Sequence, residues 1–234
     1  MKKHLGKCII TVISCISVIA VACAAVPYEK KPEHEVREIT YVETEEEKKI
    51  YSYVQVPENY CFHKGWSGDW NRIEAGGQQF FYFGCGVCCL ANMCSTLTPN
   101  QANPGVMFEW ARKYTDYNPD CGVGALSWKQ LEKMCGNMGL SAAVKRKPAD
   151  YSIFQEDVRA SDTTMVLVCK YDDDKLWFYT KGHYVNLWNY DSGTDTVFVT
   201  DSSGLFNRDR VQLEDVYRAL KTSSEAQYLC VNAE

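Results

Sequence analysis

Apolar and polar positions divide the chain into three stretches. Cys8 to Val26 is a run of uncharged, mostly apolar residues, preceded by Lys2, Lys3, His4 and Lys7 and closed by Pro27. Tyr28 to Lys49 crowds acids and bases together without an apolar period. From Ile50 onward the patterns of folded structure appear. Tyr51 to Pro57 alternates and predicts a strand. Gly76 to Gly84 contains a turn and a short aromatic run. Val87, Leu90, Ala91 and Leu97 recur at turn spacing and predict a helix starting at Cys85. Pro104 can open a second helix through Lys113. Ser127 can cap a third, Trp128 to Asn137, which Gly139 ends. Beyond Leu140 the character changes. Thr164–Val168, Leu176–Tyr179, His183–Tyr190 and Thr196–Thr200 read as strands. A late helix is expected over Gln212–Leu220 and a closing strand over Gln227–Val231. Helices first and antiparallel strands afterwards predict an α+β domain, not an alternating α/β fold.

The basic start and apolar run of residues 1–26 read as an export signal. The run is almost long enough to remain as a membrane anchor. Ile19-Ala20-Val21-Ala22-Cys23 also resembles the lipobox of bacterial lipoproteins, in which Cys23 would carry the lipid, with Ala20 in place of the usual leucine. The expected localisation is therefore secreted or anchored outside the cytoplasm. Membrane contact is expected only through the N-terminal segment or a lipid on Cys23. Residues 27–49 are expected to be a charged, solvated tether, because the run Glu43 to Lys49 offers nothing to bury. Residues 50–234 form the folded domain.

Composition narrows the chemistry. The net charge is −5 and no stretch is strongly basic, which argues against nucleic acid as a partner. Twelve cysteines in 234 residues is a high count. Past Cys23 nine remain: Cys61, Cys85, Cys88, Cys89, Cys94, Cys121, Cys135, Cys169 and Cys230. Nine is odd, so full pairing leaves one thiol, and an exported protein meets oxidising surroundings in many settings.

One of these thiols sits where a nucleophile would. Gly84-Cys85-Gly86-Val87-Cys88-Cys89 starts the predicted helix. A thiol there faces unpaired backbone N–H groups and the positive end of the helix dipole, and both favour the thiolate. The flanking glycines would let a substrate backbone come close.

A second constellation lies downstream. His183 begins an alternating strand, Asp191 to Asp195 reads as a turn, and Asp201 ends the returning strand. In an even register His183 and Asp201 share one face, directly opposite or one pair apart. Directly opposite Cβ atoms lie about 5 Å apart, suited to a carboxylate that orients an imidazole. A one-residue slip or a bulge would change this. Cys, His and Asp in that chain order fit a papain-like arrangement.

Gln79, followed after five residues by Cys85-Gly86-Val87-Cys88-Cys89-Leu90-Ala91-Asn92-Met93, resembles the start of the bacteriocin-processing (double-glycine leader) cysteine peptidases. The downstream half, with Gly182-His183, an aromatic, alternating apolars, Tyr190-Asp191 and a return strand ending in Asp201, is similar to their secreted relatives. The resemblance covers roughly Val56 to Val231. It implies a papain-like cysteine peptidase fold, with the nucleophile helix in an N-terminal helical part packed on an antiparallel sheet. It implies Cys85 as nucleophile, His183 as general base and then acid, and Asp201 as the residue orienting His183. Gln79 and the Cys85 N–H would form the oxyanion hole. The chain departs from the secreted relatives at Val87-Cys88, where they carry Pro-Thr, and at Ser202, where they often carry Pro. The relatives' glutamine can also lie upstream beside a Val-Pro pair; here Gln55 precedes Val56-Pro57 and no glutamine follows nearby, and Gln79 is preferred over Gln78 on spacing alone.

The expected activity is hydrolysis of peptide bonds through an acyl-enzyme, with a peptide or protein substrate, cell-wall peptides included, and no cofactor or metal. Two other readings use the same residues. Cys85-Gly86-Val87-Cys88 is a CxxC at a helix start, as in thioredoxin-like redox proteins. A catalytically inactive surface binding module of the same fold is the third.

Overall fold

The computed structural model describes residues 42–60, 62–119, 124–172 and 175–234. The N-terminal apolar run, Cys23, Cys61 and Cys121 lie outside the described residues, as does most of the segment read as a tether.

A two-stranded hairpin, β1 (Glu74–Ala75) and β2 (Gln78–Gln79), turns at Gly76 and Gly77 and leads into the helical part. Four helices follow: α1 (Phe80–Phe83), α2 (Cys85–Leu97), α3 (Pro104–Tyr114) and α4 (Trp128–Asn137). Each of the last two has the expected start. The Asn103 side chain accepts from the Val106 N–H ahead of Pro104. Ser127 and Gln130 form a reciprocal capping box. The second half alternates sheet and helix: β3 (Leu140–Lys145), α5 (Tyr151–Arg159), β4 (Thr163–Val168), β5 (His183–Asp191), β6 (Thr196–Thr200), β7 (Asp209–Gln212), α6 (Leu213–Ala219) and β8 (Tyr228–Ala233). The six strands β3 to β8 form one sheet in the order β3-β8-β4-β5-β6-β7, with every pair antiparallel. The fold is α+β.

Both faces of this sheet are covered, so its central strands are buried throughout rather than alternately. On one face Met165, Leu167, Tyr184, Trp188, Phe198 and Leu229 pack with residues of α2, α3 and α4. On the other, Val166, Val168, Val185, Leu187, Val197 and Val199 pack with Phe154 and Val158 of α5 and with Leu213 and Val216 of α6. Helix α2 is central to the first layer. Cys85 to Ser95 are all buried, not only the expected apolar stripe. Its cysteines and alanine are small enough to let neighbouring elements approach from every side, as free cysteines do in cores.

Four local expectations change. Tyr51–Pro57 is buried and extended around Val54 and Val56, but its Tyr53 makes only an isolated bridge to Trp66 and joins no sheet. Leu176–Tyr179 is a turn, not a strand: Trp177 is drawn wholly inside against the odd-numbered face of β5 and β6. The Glu43–Lys49 run does bury something. Glu47 is fully buried at a short 3₁₀ helix, accepting from the Thr44 N–H at 2.8 Å and pairing with Arg210 of β7 at 2.7 Å. Glu43 pairs with Arg208 at 2.7 Å, and Arg208 also donates to the Glu47 and Ile50 carbonyls. The folded part therefore reaches back at least to Glu43, because a buried carboxylate with its own cation belongs to the packed structure. Finally, Gly84 and Gly86 are buried and do not open toward a substrate. A Cβ on Gly84 would sit 2.4 Å from the Phe80 ring, so the glycine serves the tight join of α1 to α2.

Candidate active site

Three of the residues singled out in the sequence converge where β5 begins. Cys85 is the first residue of α2, His183 the first of β5, and Asp201 follows the last residue of β6. The β5–β6 register pairs Asn186 with Thr200, Leu187 with Val199 and Trp188 with Phe198. Extended by one residue, it sets Asp201 across from Val185, two residues from His183 and on the same face. The His183 Nε2 lies 2.7 Å from Asp201 Oδ1, and both side chains are buried. The remaining ring nitrogen, Nδ1, is left for the Cys85 sulfur, whose interaction with the ring shifts the titration of both groups.

Asp201 is held from several sides. Its Oδ1 accepts from the Ser203 N–H at 2.8 Å, and its Oδ2 accepts from Trp177 Nε1 at 3.1 Å. The Tyr179 hydroxyl lies 3.4 Å from Oδ2 and 2.7 Å from Ser203 Oγ. The Asp201 N–H donates to Asn207 Oδ1 at 3.0 Å. None of Trp177, Tyr179, Ser203 and Asn207 was visible as a site residue in the sequence. The Asp201-Ser202-Ser203-Gly204 stretch carried a weak signal, since such a run favours a turn whose N–H groups fold back onto the aspartate.

The electrostatics follow from this geometry. Burial alone would raise the Cys85 thiol, but the hydrogen bond and charge of His183, with the Tyr184 and Gly86 N–H groups, bring it below its usual value. Burial would lower His183, and the Asp201 carboxylate and the Cys85 sulfur outweigh it, raising the imidazole to about 10. Burial would raise Asp201, yet His183 and the Ser203 donors hold it at about 2. Cys88 and Cys89, one turn along α2, are pushed well above the ordinary thiol value, by burial first and by the Cys85 sulfur second. Cys94, Cys135, Cys169 and Cys230 are also raised, mainly by burial. Of the seven described cysteines, all unpaired, Cys85 alone is shifted toward the thiolate.

These shifts set a pH signature for stability. Asp201 falls from 3.8 to about 2 on folding, so its contribution is present above pH 3.8 and is lost as pH drops toward 2. His183 rises from 6.5 to about 10, so its contribution is complete below pH 6.5 and is lost as pH climbs through 10. The melting temperature of the native protein should exceed that of Asp201→Asn most between roughly pH 4 and 6.5, with the gap closing on both sides. Paired thermal melts from pH 3 to 10 check this, and a pH-independent gap would contradict it.

The glutamines separate less cleanly. Gln79 is exposed at the start of α1, and Gln78 is half-buried with its Oε1 directed toward Gly124. Neither side chain has a hydrogen-bond partner among the described residues. Gln55, which sequence spacing set aside, is instead buried and bonded at both ends of its amide.

No protein-family model matches the chain, and no curated protein is similar to it in sequence. Among solved structures it is similar to the peptidase domain of Streptococcus ComA, a bifunctional ABC transporter involved in a quorum-sensing pathway. The identity is 12%, the TM-score 0.45, and the match covers 65% of this chain and 93% of that one. A double-glycine-motif protease from an AMS/PCAT transporter, solved with its leader peptide, is similar at 16% identity and a TM-score of 0.37, over 64% of this chain and 84% of that one. The N-terminal peptidase C39-like domain of the toxin secretion ATP-binding protein from Vibrio parahaemolyticus follows at 18% identity and 0.28, over 47% and 73%. These structural neighbours are peptidase domains of the kind anticipated from the Gln79–Met93 motif. The likeness is distant, and the functional reading rests on the three converging side chains.

Proposed function

We propose that this protein is an exported, papain-like cysteine peptidase that hydrolyses peptide bonds through an acyl-enzyme. The observation that carries the reading is the meeting of Asp201 and His183 beside Cys85, the one thiol of the seven described that is shifted toward the thiolate. The Cys85 thiolate attacks the scissile carbonyl carbon, and the carbonyl electron pair moves onto oxygen. The Cys85 N–H and the exposed amide of Gln79 supply hydrogen bonds to that oxygen. Collapse of the intermediate expels the amine, which takes its proton from the His183 imidazolium. His183 then accepts a proton from water, which attacks the thioester and frees Cys85. Asp201 keeps its charge throughout and holds the imidazole with Nδ1 toward sulfur. No cofactor enters these steps. The substrate is a peptide or protein, cell-wall peptides among the candidates, and residues 1–26 supply the export signal or, through Cys23, a lipid anchor.

The redox reading of Cys85-Gly86-Val87-Cys88 fares less well. The sheet is antiparallel throughout, without the parallel βαβ units of a thioredoxin-like fold. Cys88 is fully buried, and its thiol is pushed up, which suits packing better than exchange.

Alkylation without reductant at neutral pH tests the proposal. Iodoacetamide or a peptidyl electrophile should label Cys85 at least ~10-fold faster than any other thiol, because reactivity follows thiolate fraction and access. Peptide mapping reads the sites, and turnover should fall in step with Cys85 labelling. Equal labelling of several thiols, or turnover surviving full Cys85 modification, would reject the mechanism. A protein whose Cys85 labels fast but which cleaves no peptide in a broad substrate library is the inactive binding module.

A further inference from the structure

Gln55 is a buried side-chain amide placed between the two halves of the site. Its Nε2 donates to the Phe81 carbonyl at 2.7 Å, and its Oε1 accepts from Ser202 Oγ at 2.9 Å. Its backbone N–H donates to the Ser202 carbonyl at 2.8 Å. Phe81 lies four residues before Cys85, and Ser202 directly follows Asp201. One side chain thus joins the turn that presents the nucleophile to the segment that presents the carboxylate.

The Phe81 carbonyl has a particular meaning. In an uninterrupted helix it would accept from the N–H of residue 85. Here α1 ends at Phe83 and α2 begins at Cys85. The Gly84 N–H closes on Phe80 O at 2.7 Å, and the Gly84 carbonyl accepts from Cys88 N–H at 2.8 Å. The ladder skips the bond between Phe81 and Cys85. The Gln55 amide occupies the carbonyl instead, so interrupting the helix leaves no buried acceptor unsatisfied. The amide cannot flip without setting its oxygen against the Phe81 carbonyl oxygen, so its orientation is defined.

We propose that Gln55 is a positioning residue for the oxyanion hole. By taking the Phe81 carbonyl it keeps the Cys85 N–H out of the helical ladder and available to the substrate oxygen. Through Ser202 it ties that N–H to the segment carrying Asp201. The inference rests on the peptidase reading and adds a residue that never touches substrate.

Two chemistries at Cys85 separate this role from a general structural one. Alkylation by iodoacetamide displaces iodide at an sp³ carbon and develops no oxyanion. Addition to a peptide aldehyde joins sulfur to the carbonyl carbon and moves the C=O electron pair onto oxygen, which the Cys85 N–H must receive. The experiment measures, for the native protein, Gln55→Met and Gln55→Ala, the iodoacetamide rate at Cys85, the protection afforded by a peptide aldehyde, and kcat and KM on a cleaved peptide. Gln55→Met keeps the length and loses the amide donor; it stands in should Gln55→Ala fail to fold. Losing one oxyanion donor outright costs about 10²- to 10³-fold. Loss of its positioning group should therefore weaken aldehyde protection and kcat by roughly 10- to 100-fold, with KM and the iodoacetamide rate within about 3-fold of native. Native-like aldehyde affinity and kcat in both variants would overturn the proposal while leaving the peptidase reading intact. Parallel losses in iodoacetamide and aldehyde reactivity would also overturn it, showing a merely structural tie. A native protein whose Cys85 is not protected by any peptide aldehyde and which cleaves no peptide would overturn the peptidase reading, and this proposal with it.

Discussion

Cys85→Ala should abolish peptide hydrolysis, with turnover expected to fall by on the order of 10⁴-fold or more, to the level set by binding and the oxyanion donors alone. The substitution removes the atom that forms the acyl-enzyme, and no neighbour can replace it. Cys88 and Cys89 are one turn away, buried, with thiols held protonated by that burial. The fold should persist. Alanine is the best helix former, the site is at a helix start, and only one sulfur atom is lost. Steady-state kinetics with a matched thermal melt check both halves. A Cys85→Ala protein that folds and still cleaves at the native rate would end the cysteine-peptidase reading.

His183→Ala should cost nearly as much, and the double variant with Cys85→Ala should lose little more than either single one. In the proposed mechanism the two side chains form one unit: the imidazole stabilises the thiolate and later donates the proton that the leaving amine needs. Losses in such a unit are far from additive. The same variant should slow iodoacetamide labelling of Cys85 near neutral pH, because burial then raises the thiol against only the Tyr184 and Gly86 N–H groups. Asp201→Asn should lose less than His183→Ala, since the amide oxygen can still accept from Nε2–H, while the charge is lost and the amide NH2 takes the place that accepts from Trp177 Nε1. Equal activity losses for the three single variants, with additive doubles, would show that they act independently and would contradict the relay.

Several elements could be located from sequence because local chemistry specifies them. Pro104 behind an Asn103 cap, and Ser127 with Gln130 three residues on, satisfy free helix N–H groups without help from distant residues. The apolar runs of β4, β5 and β6 are long enough to identify without their partners. Elements that depend on partners were missed. Half of β3 is Ala and Ser, and it becomes a strand by pairing along its whole length with β8. β7 is a polar edge strand, supported by β6 and by the Arg208 and Arg210 pairs with Glu43 and Glu47. α5 buries only Phe154 and Val158, too few apolar positions to show a period.

By itself the sequence determined which groups are chemically able to react: a thiol at a helix start, a histidine at a strand start and an aspartate at the end of the return strand. Tertiary structure alone decided whether they meet. At the hairpin turn Asp191 pairs with Thr196, a register that would put His183 and Asp201 on opposite faces. The register shifts by one residue between Trp188 and Asp191, where Asn189 takes a positive φ of 44°, and this irregularity returns both side chains to the same face. Likewise, Trp177 and Tyr179 look like a strand and become donors to Asp201, and Gln55 looks like part of a strand and becomes the link between Phe81 and Ser202. The reason is common to all of them. A side chain's identity is local, but the partner that satisfies it once buried comes from elsewhere in the chain, and only the packed fold brings the two together.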